Sequence, residues 1–181
     1  MATLTTSDAP RRFDASQGPH LIAAGDGRAL DFGSFAVRFM AFAEQTGGGF
    51  SVIEHPIPPR CLVAPLHRHS REDEYSFVLK GRMGALLGDE VIYAQAGELA
   101  VKPRNQWHTF WNPDDVPCRI LEITSPGGFA HFFEELAVAT GGPEPDPDAL
   151  EQLGARYGLE FDPESVERLC AEHGLSFPLG G

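Results

Sequence analysis

The sequence predicts an all-β protein, a sandwich or barrel, followed by a short helical tail. Three observations lead there. Turn formers are abundant, with 20 Gly and 15 Pro in 181 residues. Between residues 61 and 125 short apolar runs recur at close intervals, separated by turn residues, the spacing of sandwich and barrel strands. After Pro126-Gly127-Gly128 the apolar residues Phe129, Phe132, Phe133 and Leu136 fall at helical spacing instead.

In chain order, residues 1–19 are polar and without periodicity, which reads as a flexible arm. Residues 20–24 read as a first strand closed by the turn Gly25-Asp26-Gly27, and 36–42 as a second. Gly47-Gly48-Gly49 breaks the chain before a strand over 50–55, which Pro56, Pro58 and Pro59 are expected to end because proline cannot donate to a ladder. Strands then follow over 62–69, 75–80, 82–87, 90–94, 99–102, 106–112 and 118–124. Helices are expected over 129–139, from an Asp146 N-cap with Pro147 to Tyr157, and from Asp162-Pro163 to His173, where Gly174 stops the last one. The organisation is therefore an arm (1–19), a β-barrel (20–126) and a C-terminal helical extension (127–181).

Composition narrows the function. A formal net charge of -12 repels phosphate backbones and anionic membrane surfaces, so neither nucleic acid nor membrane is an expected partner. The acidic C-terminal helices (Glu151, Glu160, Glu164, Glu167, Glu172) speak further against a DNA reader. Cys61, Cys118 and Cys170 are odd in number and form no CxxC pair, which fits a reducing compartment. The first residues lack the apolar stretch of a signal peptide, and no apolar run approaches the ~20 residues that cross a bilayer, so a cytoplasmic location is expected.

One constellation carries chemistry. His67 and His69 are two apart at the end of a strand, so both imidazoles point to one face. A polar turn, 70–73, leads to Glu74 at the head of the next strand, beside them. His108 in a later strand is the fourth candidate. Three imidazoles and a carboxylate suit one borderline divalent transition metal, with Fe, Mn, Ni, Cu, Co and Zn all admitted. Alternation puts Glu74, Ser76 and Val78 on an inner face and Tyr75, Phe77 and Leu79 on an outer face apolar enough to need a cover. Gln106, His108 and Phe110 point inward likewise. With 13 Phe in the chain, Phe39, Phe50 and Phe110, along with Phe42, are candidates to line an apolar substrate pocket near the metal.

His67-x-His69, Glu74 and Gly81, followed by Gly97, Pro103, His108 and Asn112, resemble the two motifs of the cupin superfamily at their usual spacing. Two positions depart from the pattern. Cys61 stands where a glycine usually precedes the first histidine, and Asn105 stands where a glycine usually follows the proline. Asparagine tolerates the left-handed backbone that such a turn requires. The resemblance implies a jelly-roll (double-stranded β-helix) barrel with its core over about 35–125, and metal ligation by His67, His69, Glu74 and His108. Pairing through the sheets is common in such proteins, so the resemblance also implies a homodimer.

Within that superfamily the chain looks most like the small quercetin dioxygenase-like group. The activity this implies is an oxidoreductase, a dioxygenase acting on a small aromatic, flavonol-like or enolic substrate, with Glu74 as a catalytic group that takes the hydroxyl proton. The alternatives are a non-redox metalloenzyme (isomerase, decarboxylase or hydrolase) and a ligand-binding cupin without catalysis.

Overall fold

The computed structural model describes residues 20–32, 35–140 and 146–177. The expected arm, 1–19, lies outside them, as do 33–34, 141–145 and 178–181. Among the described residues eleven strands form two antiparallel sheets that face each other as a jelly roll: β1 (Ala29–Asp31), β2 (Ala36–Ala41), β3 (Ser51–Ile57), β4 (Leu66–His69), β5 (Asp73–Lys80), β6 (Arg82–Leu87), β7 (Glu90–Gln95), β8 (Leu99–Lys102), β9 (His108–Trp111), β10 (Cys118–Ser125) and β11 (Leu159–Asp162). One sheet runs β1-β2-β3-β10-β5-β8, the other β11-β4-β9-β6-β7. After β10 the described residues form α1 (Ala130–Ala139), α2 (Pro147–Tyr157) and α3 (Ser165–His173).

Alternation is the local cause of this arrangement. In β5, Glu74, Ser76 and Val78 are buried, while Phe77 and Leu79 are each 37% exposed on the outer face. In β10, Ile120, Glu122 and Thr124 point inward in the same way. The main core lies between the sheets and extends to Phe129, Phe132, Phe133 and Leu136 at the start of the helical tail. A second, smaller core forms where α3 covers the outside of the five-stranded sheet, with Leu62, Leu86, Trp111 and Leu169 at its centre. Each turn has its backbone reason. Asn105 takes φ 63, the left-handed conformation its side chain tolerates. The Asp146 side chain caps α2 by accepting from Asp148 N–H at 3.0 Å.

Four expectations change. Residues 20–24 form no strand; the edge partner of β2 is β1, whose Ala29–Asp31 pair with Arg38–Ala36. β3 continues through Pro56 to Ile57, because the β2 ladder ends opposite Glu54 and leaves proline without a donor to supply on that side. Asp162 does not open the last helix. It ends β11, paired with Leu66, and Ser165 starts α3 with its hydroxyl donating to the Asp162 carbonyl at 2.5 Å. The extension after 126 is thus not only helical, since β11 joins the five-stranded sheet beside β4.

Candidate metal centre

Strands from one sheet bring three of the four expected ligands together. β4 carries His67 and His69, and His67 pairs directly with His108 on the neighbouring β9. Glu74 reaches the same point from β5 in the facing sheet. All four residues are buried, and one ligand atom from each lies within 4.8 Å of the others. Glu74 Oε2 stands 3.0 Å from His69 Nε2 and 3.1 Å from His108 Nε2. Two donors at right angles on an ion, each about 2.1 Å from it, are about 3.0 Å apart, so this spacing suits adjacent ligands of one metal.

The donor chemistry passes the same test. His67 Nδ1 lies 2.8 Å from the Pro65 carbonyl and His108 Nδ1 3.0 Å from the Gln106 carbonyl. A carbonyl only accepts, so both Nδ1 atoms carry hydrogen, and in the neutral rings both Nε2 atoms present lone pairs to the centre. A lone pair on His108 Nε2 facing Glu74 Oε2 at 3.1 Å is unfavourable unless a cation, a metal ion or a proton, lies between them. Both ring nitrogens of His69 are buried without a hydrogen-bond partner, as is Glu72 Oε2, 3.6 Å from His69 Nδ1. These orphaned atoms fit a divalent ion on His69 Nε2 with Glu72 behind the ring.

Electrostatics agree with a site built for positive charge. Burial, reinforced by His108 and His69, holds His67 well below the ordinary imidazole range, so it stays neutral. Burial opposes charging His69, but Glu72 and Glu74 outweigh it and carry its pKa to about 9. Burial alone would raise Glu74; Lys102 and the neighbouring histidines overcome this and hold the carboxyl well below the usual range.

Lys102 is the residue that sequence reasoning missed. Its ammonium is fully buried, donates to Glu74 Oε1, and lies 2.9 Å from Glu122 Oε2. Burial opposes its charge, but Glu122 and Glu74 outweigh this and raise its pKa above the ordinary lysine value. Glu122 in turn accepts from Ser76 Oγ at 3.1 Å and stands 3.1 Å from His55 Nε2. Lys102 Nζ also lies 4.4 Å from the centre of the Phe110 ring. The only sequence signal was strand alternation, which puts Lys102 on the same face as buried Ala100.

The expected substrate residues do not gather. Phe110 is buried against Lys102, Phe39 packs in the core against Phe42, and Phe50 is 43% exposed. One barrel end is closed by the tail: the Phe129 ring lies 4.5 Å from that of His69, and Phe161 of β11 lies 5.9 Å from His67. A cavity of about 190 Å³ opens instead beside His108, lined by Leu87, Val101, Pro103, Gln106 and Trp107 among others. A neighbouring cavity of about 490 Å³ shares Gly88, Gln106 and Trp107 with it. None of the three phenylalanines lines either one.

A family profile described as a Cupin domain matches residues 54–124, a span that includes the four clustered residues, Lys102 and Glu122. The chain is similar to the solved structure of KdgF from Halomonas sp., with 16% identity over 55% of this chain and 87% of that one, at a TM-score of 0.49. It is similar to a predicted oxalate decarboxylase from Thermotoga maritima, with 17% identity over 50% of this chain and 79% of that one, at a TM-score of 0.48. It is also similar to a sugar phosphate isomerase from Silicibacter pomeroyi, with 20% identity over 51% of this chain and 59% of that one, at a TM-score of 0.45. None of the curated proteins matches the chain. The match over 54–124 coincides with the part of the jelly roll that gathers His67, His69, Glu74 and His108, a likeness to cupin domains over that stretch.

Proposed function

We propose that the protein is a metal-dependent oxidoreductase, a dioxygenase acting on a small enolic or aromatic substrate. The observation that carries this reading is the convergence of three imidazoles and one carboxylate on a buried point, a set that leaves positions for substrate on a six-coordinate ion. When bound, the ion would supply Lewis acidity, which lowers the pKa of a hydroxyl placed on it. The chain's own residues supply the rest. Glu74 is committed through both oxygens, Oε2 toward His69 and His108 and Oε1 to Lys102. Its part in this reading is a fixed negative charge beside the ion rather than a proton acceptor. Phe129 against His69 and Phe161 against His67 exclude water from the histidine side. Gln106 and Trp107 line the approach beside His108. The cavity of about 190 Å³ beside His108 adjoins one of about 490 Å³ along Gln106 and Trp107, room for a small enolic or aromatic substrate.

A second reading, a non-redox isomerase, decarboxylase or hydrolase, draws support from the chain of donors and acceptors formed by Lys102, Glu122 and His55. Such a chain suits proton transfer near the ion. Oxygen-electrode measurements separate the two. Protein loaded in turn with Fe(II), Mn(II), Ni(II) or Cu(II) is given a panel of enolic acids, diketones, catechols and flavonols. The expected result is oxygen uptake matched to substrate loss with a small enolic or catecholic member. Substrate loss without oxygen uptake supports the second reading, and neither loss nor uptake across the panel contradicts both.

A further inference from the structure

A lysine with no exposed side-chain surface is costly to bury and is tolerated only where opposite charges compensate it. Lys102 has two such partners, and they come from different strands. Glu74 of β5 is the carboxylate of the metal cluster; Glu122 of β10 lies outside it. Glu122 is itself fixed, by Ser76 Oγ at 3.1 Å and by His55 Nε2 at 3.1 Å, and Phe110 lies under the ammonium. The lysine is therefore held by β10 and β9, with Ser76 of β5 and His55 of β3 bracing Glu122, before it meets Glu74. What it takes from Glu74 is one specific oxygen. Oε1 receives the ammonium, while Oε2 faces His69 and His108 at 3.0 and 3.1 Å.

From this geometry we infer that Lys102 is a positioning residue that restricts Glu74 to a single metal-facing oxygen, so that a coordination position stays available to substrate. A carboxylate free to turn can bind an ion through both oxygens and fill two positions instead of one. With Oε1 engaged by an ammonium braced on Glu122, the second mode would require breaking a buried ion pair. Ser76, Glu122 and His55 contribute by holding Lys102 in place rather than by touching the ion.

The inference rests on the proposed metal centre, and the experiment separates the two. A crystal structure of the wild-type protein loaded with Co(II) is the direct measurement. One Glu74 oxygen on the ion with Lys102 Nζ on the other is the expected result. Both oxygens on the ion overturns the inference and leaves the metal reading standing; no cobalt at the four residues overturns both.

In solution, azide and imidazole are titrated into the Co(II)-loaded protein and followed by the visible cobalt bands. In Lys102→Met the freed carboxylate takes the position, so both probes are expected to bind roughly tenfold more weakly or worse. Lys102→Arg, which keeps a donor and the charge, is expected to recover most of the loss. Weaker azide with unchanged imidazole would show that Lys102 acts only through its charge, and that result also overturns the inference.

Discussion

At Gly84 in β6 there is no room for a methyl group. A Cβ there would lie 2.3 Å from Trp111 Nε1 and 2.5 Å from Cε2 of the same ring. The ring cannot retreat easily, because it is fully buried and stacks against His173 of α3. Gly84→Ala is therefore expected to destabilise the protein by about 1–3 kcal/mol, the usual cost of overpacking. Gly128→Ala, where nothing lies within 4 Å of the new carbon, is expected to stay within about 0.5 kcal/mol in the same chemical denaturation series.

Residues differ in how far they could be read in advance. His67, His69, Glu74 and His108 were legible because side-chain alternation and motif spacing act over short stretches of chain. Lys102 was not. A lysine closing a short strand reads as a solvated rim residue, and its burial depends on Glu74 and Glu122, 28 and 20 positions away. The three phenylalanines expected at a pocket line neither described cavity, for a similar reason. Aromatic composition says that apolar surface will be buried, but it cannot say whether it is buried against a ligand or against other core side chains.

Among the elements, the middle strands and α1 followed from periodicity and α2 from its Asp146 cap, while α3 starts later than its expected cap and β11 gave no signal. It is four residues long, lies between two helices, and is defined only by pairing with β4, as in Phe161 opposite His67. Pairing across so large a sequence separation is invisible to any local pattern. The element has a consequence for the site. β11 backs the strand that carries two of the candidate ligands, and Phe161 packs both on His67 and against Gly154 of α2. Phe161→Ala is expected to cost about 2 kcal/mol, less than a fully buried phenylalanine because the ring is only partly buried. It is also expected to weaken metal affinity about tenfold by loosening β4, as loss of ligand support does elsewhere. Thermal melts with and without metal, alongside a competition titration, measure both effects.

On the scale of the whole molecule, one closed barrel does two jobs. Its facing sheets bring histidines from one sheet to a glutamate of the other, and its tail closes one end over them. No helix among the described residues is long and apolar enough to cross a membrane. The overall charge of -12 coexists with a centre where Glu72, Glu74 and Glu122 face one buried ammonium and the histidines. Such an arrangement favours added positive charge, which a divalent ion would supply. An ion that binds only the folded barrel must also stabilise it, by about 2.7 kcal/mol at a concentration one hundred times its dissociation constant.

Elemental analysis of protein purified without an affinity tag, for the wild type and for His67→Ala and His108→Ala, tests that claim most directly. About one divalent transition-metal ion per chain in the wild type, lost in both variants, is the expected result. A wild type that holds no such ion after incubation with Fe(II), Mn(II), Co(II), Ni(II), Cu(II) and Zn(II), or variants that retain as much as the wild type, would contradict it.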